Sequence, residues 1–269
     1  MRADLRLAVA TTSIALAAAA AILERYAGAA RVQYKDDRSP VTDADLIAHE
    51  IICRALEALE PGVPLISEEG EHPPPAERAG WHEHWLVDPL DGTRSFVAGR
   101  GDFSVNIALV SDHRPVLGVI AVPVNGCCYY AARGAGARVR HADGATRTIS
   151  TRRLADGRAA VLRSRSRLHR GVDALCELLG SCRVIRASSA LKACLVAQGT
   201  ADLYAAFGAT SHWDTAAAQC LLEEAGGALT DLALAPLAYD PQGGFDNPYF
   251  LAVGDPDRDW AALLRAAGM

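Results

Sequence analysis

The chain has 269 residues, with 27 Lys and Arg against 32 Asp and Glu, a formal charge of -5 that argues against broad binding to a nucleic-acid backbone. Half of the residues are hydrophobic and only 6% aromatic, so a sizeable core must be built mostly from Ala, Leu, Val and Ile. Seven cysteines, an odd number with no C-x-x-C pair, cannot all be bridged within one chain and point to a reducing cytosol, with the thiols serving as small apolar residues.

In chain order, the Ala-rich run from Leu5 to Leu23 follows basic Arg2 and includes Arg6, as a signal peptide would. Thr11, Thr12 and Ser13 dilute it, and it continues directly into Glu24 and Arg25. It reads as a first long helix packed into the domain, with a cleaved signal or membrane anchor as the alternative. Pro40 and its polar neighbours predict a turn; Leu46, Ile47, Ile51, Ala55 and Leu59 then recur at helical spacing. Asp43 and Asp45 fall at that helix start, where a carboxylate caps free amides. "VPLISEEGE" predicts a short strand entering a polar loop, and the proline-rich connection from His72 to His84 a cover over a site, with His82 and His84 solvated.

"WLVDP" predicts a second strand, and the stretch from Phe103 an antiparallel meander with turns at Asp112, His113, Asn125 and Gly126. "AAVLRSRS", "CRVIRASSA" and "ADLYAAFG" read as strands and Ala190 to Gly199 as a helix. "WDTAAAQCLLEEAGGALTD" reads as a helix with Asp214 at its start and Gly226 and Gly227 at its end. The fold class is α/β (α+β), with residues 1–269 as one catalytic unit in two soft halves, 1–150 and 151–269.

Three acidic groups then stand at strand ends or a helix start: Glu68 with Glu69, Asp88 with Asp91, and Asp214. Carboxylates gathered from separate elements repel one another unless cations neutralise them, and hard oxygen ligands point to magnesium. In "DPLDGT", Pro89 stiffens the turn so that both aspartates face one cavity with the Leu90 carbonyl as a further oxygen ligand. Gly92 permits close approach of an anion and Thr93 supplies a hydroxyl. Asp214 and Thr215 sit where helix amides attract phosphate.

"SPVTDAD", "LISEEGE", "WLVDPLDGTRSF", "SSALKACLVAQGTADLY" and "WDTAAAQCLLEEAGG" together resemble the inositol monophosphatase superfamily, in family order over nearly the whole chain. More closely they resemble the CysQ-type 3'(2'),5'-bisphosphate nucleotidases. The resemblance implies an αβαβα layered sandwich and lithium-sensitive hydrolysis of a phosphate monoester, with two or three Mg2+ ions. It places Glu68, Asp88, Leu90, Asp91 and Asp214 as metal ligands, with Asp45 and Thr93 orienting or deprotonating the attacking water and Glu68 taking part in catalysis. Asp43 falls outside the match and reads as a cap, while Glu69 stays open between an outer acid and a solvated neighbour.

Substrate contacts are expected from Glu68, Leu90, Asp91, Gly92, Thr93 and Asp214, and from Ser189, Lys192 and Arg167. The implied substrate is a small phosphorylated nucleotide, adenosine 3',5'-bisphosphate, a by-product of sulfate assimilation, cleaved to AMP. Inositol 1-phosphate or a broader set of phosphomonoesters is the alternative, and a nucleotide-sensing module without turnover a third reading. Relatives carry an arginine where this chain has Ala205 and Ala206, and a histidine where it has Arg167. Arg163, Arg165 and Arg186 are the candidate substitutes. No nucleic-acid polymer is expected as partner. The resemblance implies a cytoplasmic enzyme and leaves peripheral attachment to the inner membrane open.

Overall fold

The computed structural model describes residues 4–28, 31–34, 40–154, 158–164 and 170–269. Helix α1 (Leu5–Tyr26) is capped by Asp4, whose Oδ1 accepts from the Leu7 amide at 2.9 Å. It is long and apolar enough to cross a membrane, yet Ala8, Ala15, Ala18 and Ile22 are fully buried in a shared core. A small antiparallel pair, β1 (Val32–Tyr34) and β2 (Pro40–Thr42), leads into α2 (Asp43–Leu59), which lies against α1. Pro40 therefore starts a strand, not the expected turn. The α2 face is also rotated from the expected one: Ala44, Ala48, Ile52 and Leu56 are buried and Leu46 is 48% exposed. Alanines win the interior because α1 presents alanines too, and two small-residue faces approach closely while the bulkier Ile51 and Leu59 fill the flanks.

Then follow β3 (Leu65–Ser67), a short α3 (Pro75–Arg78), β4 (Glu83–Asp91) and a short α4 (Thr93–Val97). The meander consists of β5 (Ser104–Ser111), β6 (Arg114–Val122), β7 (Cys127–Ala132), β8 (Ala137–Arg140) and β9 (Thr146–Ile149). Strands β3 to β9 form a sheet in sequence order, β3 and β4 parallel and the rest antiparallel. The β5–β6 turn has Asp112 and His113 at φ 47° and 63°, as a tight hairpin requires.

The second sheet takes β10 (Arg158–Arg163), β11 (Ser181–Arg186), β12 (Leu203–Ala206), β13 (Ala228–Asp231) and β14 (Phe250–Val253), in the order β11-β10-β12-β14-β13. Helices α5 (Arg170–Leu178), α6 (Leu191–Ala197), α7 (His212–Glu224) and α8 (Trp260–Ala266) accompany it.

Side-chain alternation gives the layers. Trp85, Val87, Ile107 and Val119 point to α1 and α2, while Leu86, Ala108 and Ile120 point to α6 and α7. The opposite side of α6 and α7 meets Leu162, Tyr204 and Ala252 of the second sheet, whose other face, with Val161, Leu203 and Leu251, carries α5 and α8. The order is helix pair, sheet, helix pair, sheet, helix pair, the expected αβαβα sandwich. Both faces of the large sheet are covered, which explains why β5 and β6 are apolar without alternation. The central layer is tight: a Cβ at Gly118 would stand 2.4 Å from the Ala217 carbonyl oxygen of α7.

Candidate active site

The end of β4 explains two aspartates three residues apart. In a regular strand an odd spacing puts them on opposite faces. Here Asp88 pairs with Asn106 but Asp91 with Ser104, a slip of one residue relative to β5. The bulge at Pro89 and Leu90 sends the Leu90 side chain into the α1–α2 core and returns Asp91 to the α7 side with Asp88. There both meet Asp214 of α7, with one carboxylate oxygen from each within 4.8 Å of the others. Glu68, just past β3, hydrogen-bonds to Asp88 through its side chain, and its backbone N–H donates to the Val87 carbonyl at 3.1 Å. Asp88 Oδ1 in turn accepts from the Leu90 amide at 3.0 Å.

Two helices deliver acids in the same way. In α2, Thr42 is the N-cap and Asp45 the third helical residue, its Oδ2 accepting from Thr42 N at 2.8 Å and Thr42 Oγ1 at 2.5 Å. In α7, Ser211 is the N-cap and Asp214 Oδ2 accepts from Ser211 N at 2.7 Å. Each capping box holds an acid at a helix N-terminus. Asp45 keeps Oδ1 for Thr93, whose Oγ1 lies 3.1 Å from it and 3.1 Å from the Leu90 carbonyl. Thr93 can be so placed because Gly92 takes φ 94°, where a Cβ would meet the Asp102 carbonyl at 2.9 Å.

Burial dominates the electrostatics. It pushes the Asp88 carboxyl well above the usual range, with Glu68, Asp91 and Asp214 adding to the effect. Asp214 is raised to about 8, first by burial and then by Asp91. Burial also raises Asp45, against its bonds from Thr42 and Thr93 and with Glu69 adding to the rise. Burial lowers the Lys192 ammonium, against the pull of Asp91, Asp214 and Asp102. A cluster of hard oxygens that otherwise holds protons is chemically suited to a divalent, oxygen-preferring cation.

Ser189 joins this group, its Oγ donating to Asp91 Oδ2 at 2.6 Å, and Lys192 reaches back to the Ser189 carbonyl at 2.8 Å. Arg167 and Arg165 lie outside the described residues. Arg163 pairs with Asp173, Arg186 is exposed, and Ala206 is half-buried at the end of β12. Asp43 is not the cap expected: Thr42 takes that place, and Asp43 accepts from the Arg31 amide at 3.2 Å and faces Arg25 at 3.4 Å. Glu69 stands near Asp45 and His49. His82 is exposed and meets Asp112, but His84, expected to be solvated, is 1% exposed, because β4 carries it inward towards His212 and Arg78. The proline-rich segment packs on the C-terminal half, with Arg78 over the Phe245 ring at 4.6 Å. The sequence reading did not include Thr42, Ser104 or Asn106 at the site. Only Thr42 carries a sequence signal, a threonine three residues before an acid at a helix start.

The inositol monophosphatase family model matches residues 4–252. The 3'(2'),5'-bisphosphate nucleotidase CysQ of Aggregatibacter actinomycetemcomitans is 41% identical over 250 residues, covering 90% of each chain. That of Salmonella typhimurium is 42% identical over 234 residues, 86% of this chain and 92% of the relative. The crystal structure of CysQ from Bacteroides thetaiotaomicron, a bacterial member of the family, superposes with a TM-score of 0.80 at 34% identity, covering 92% of this chain and 96% of that one.

Proposed function

The chain belongs to the inositol monophosphatase family, and from that premise we propose that it is a magnesium-dependent 3'(2'),5'-bisphosphate nucleotidase that removes the 3'-phosphate of adenosine 3',5'-bisphosphate to give AMP. The observation that carries the reading is the meeting of Asp88, Asp91 and Asp214 beside Glu68 and the Thr93–Asp45 pair. The nucleotide preference rests on the relatives named above, which are bisphosphate nucleotidases.

Glu68, Asp88, Asp91, Asp214 and the Leu90 carbonyl would hold the metal ions. Two or three such ions, when bound, neutralise the phosphate, lower the pKa of the attacking water and stabilise the leaving oxygen. Thr93 accepts the proton of that water at Oγ1 as its own hydroxyl proton passes to Asp45 Oδ1, 3.1 Å away. Burial raises the Asp45 pKa above the usual carboxylate range, which makes it a stronger proton acceptor than an exposed aspartate. Gly92 lets the phosphate lie against the backbone, and Ser189, Lys192 and Arg167 serve the rest of the nucleotide. Residues 1–150 supply all of these acids except Asp214, so residues 1–269 act as one catalytic unit. Seven free cysteines accord with a cytoplasmic location, and peripheral attachment to the inner membrane is left open.

Phosphate release from adenosine 3',5'-bisphosphate and from inositol 1-phosphate, measured side by side with magnesium and then with EDTA, tests the proposal. A strong preference for the nucleotide, abolished by EDTA and inhibited by lithium, is expected. A preference for inositol phosphate would overturn the substrate while keeping the metal site. The small Ala205 and Ala206, where the resemblance leads one to expect an arginine, are the feature of this chain that makes inositol phosphate the alternative to test.

A further inference from the structure

Asp91 is held by one of its two oxygens. Oδ2 accepts from Ser189 Oγ at 2.6 Å, from the Ala190 amide at 2.7 Å and from Asn106 Nδ2 at 3.3 Å. Three donors on one carboxylate oxygen leave it little remaining capacity, so Oδ1 is the oxygen left to face a cation shared with Asp88 and Asp214.

The donors are themselves supported. A carboxylate only accepts, so the Ser189 proton goes to Asp91, and Ser104 is the donor across the 2.5 Å contact with Ser189 Oγ. The one Ser104 proton also faces Asn106 Oδ1 at 3.1 Å, so Ser104 supports both side chains that donate to Asp91, Ser189 at the shorter distance and Asn106 at the longer. Ser189 sits at φ 60°, a left-handed conformation that a non-glycine residue adopts only when its surroundings enforce it. One enforcing contact is Lys192, a turn later in α6, whose Nζ donates to the Ser189 carbonyl at 2.8 Å while lying 5.4 Å from the centre of the Tyr204 ring.

We propose that Ser104, Ser189 and Lys192 form a clamp that presets Asp91 as a one-oxygen metal ligand, with Lys192 acting as a positioning residue through Ser189. The inference rests on the metal-site reading above, not on the identity of the substrate.

The sign of one effect separates the clamp from simple electrostatics. Lys192 is a cation near the carboxylates, so on charge alone Lys192→Met removes repulsion and tightens magnesium binding. The clamp requires the opposite, because Ser189 loses its brace and Asp91 its orientation. Calorimetric titration of metal-free protein with magnesium chloride, without substrate, reads this directly. Lys192→Met and the uncharged change Ser104→Ala are each expected to weaken binding five- to tenfold. The double variant should weaken it by less than the product of the two, since both act through Ser189. Lys192→Arg, which keeps a donor for the Ser189 carbonyl, should stay within about threefold of the wild type. Tighter or unchanged binding in Lys192→Met, with Ser104→Ala also unchanged, would overturn the clamp. If Lys192→Met does not fold, Ser104→Ala and Lys192→Arg carry the test. A wild-type protein that binds no magnesium would sink the metal reading itself, a result distinguishable from failure of the clamp.

Discussion

Asp45 does two jobs, and one substitution separates them. Its Oδ2 closes the capping box of α2 through Thr42, and its Oδ1 faces Thr93. In Asp45→Asn the amide oxygen still accepts from the Thr42 N–H, so the cap survives. The buried carboxylate, already disfavoured by desolvation, is replaced by a neutral group. Stability should then move by no more than about 1 kcal/mol, a melting shift within about 4 °C. As a proton acceptor, however, the amide is useless, and loss of a positioned general base typically costs about 10²- to 10⁴-fold. Asp45→Ala supplies the contrast: it leaves the Thr42 N–H without its acceptor, costing about 1–2 kcal/mol, with a similar loss of rate. Initial rates of phosphate release at saturating magnesium, with melting curves on the same samples, measure both effects. An Asn variant within about threefold of the wild-type rate, well under the loss expected of a general base, would refute the base assignment and reduce Asp45 to a cap.

Asp88 and Asp214 have folded-state pKa values raised above their unfolded ones, so their contribution is present at low pH and lost as pH rises, through about 8 for Asp214. Metal-free protein should therefore melt lower at pH 8 than the rest of its charges require, and magnesium should raise the melting temperature more at pH 8 than at pH 6. Equal magnesium shifts at both would count against proton–metal competition. His84 and His212 run the other way: burial holds both at about 4, below the usual 6.5, so stability is lost as pH falls from 6.5 towards 4. Replacing His84 by Leu should flatten the fall in melting temperature between pH 7 and 5. Gly92→Ala forces a side chain to φ 94° and against the Asp102 carbonyl, and should cost about 2–3 kcal/mol and most of the activity, read by melting and phosphate release.

The acids could be picked out in the sequence because chemistry fixes residue type; what brings them together could not. The layered sandwich was implied by the family resemblance that the motifs carry, and the strands of the meander followed from their apolar runs and turn residues. The rotation of α2 did not, since Leu46 fits a helical stripe as well as Ala44 does, and only the alanines of α1 decide which face goes inward. No helix was read between β10 and β11, although Val172, Leu175 and Cys176 of "RGVDALCEL" fall at helical spacing and pack with Trp260 and Leu264 of α8. His84 looked like a loop residue because the start of β4 reads as "HEH"; pairing with Val110 of β5 is what buries it. The same limit applies to the site. Nothing in "VDPLDGT" announces a one-residue slip against β5, and without that slip Asp91 points into the α1–α2 core, away from Asp88 and Asp214. Proline makes the slip possible by withholding an N–H from the ladder at residue 89, and Asp88 secures it by accepting the Leu90 amide. Ser104 and Asn106 enter for the same reason: they are the register partners of Asp91 and Asp88, and their place at the site comes from pairing between strands, to which their own neighbours in sequence give no clue.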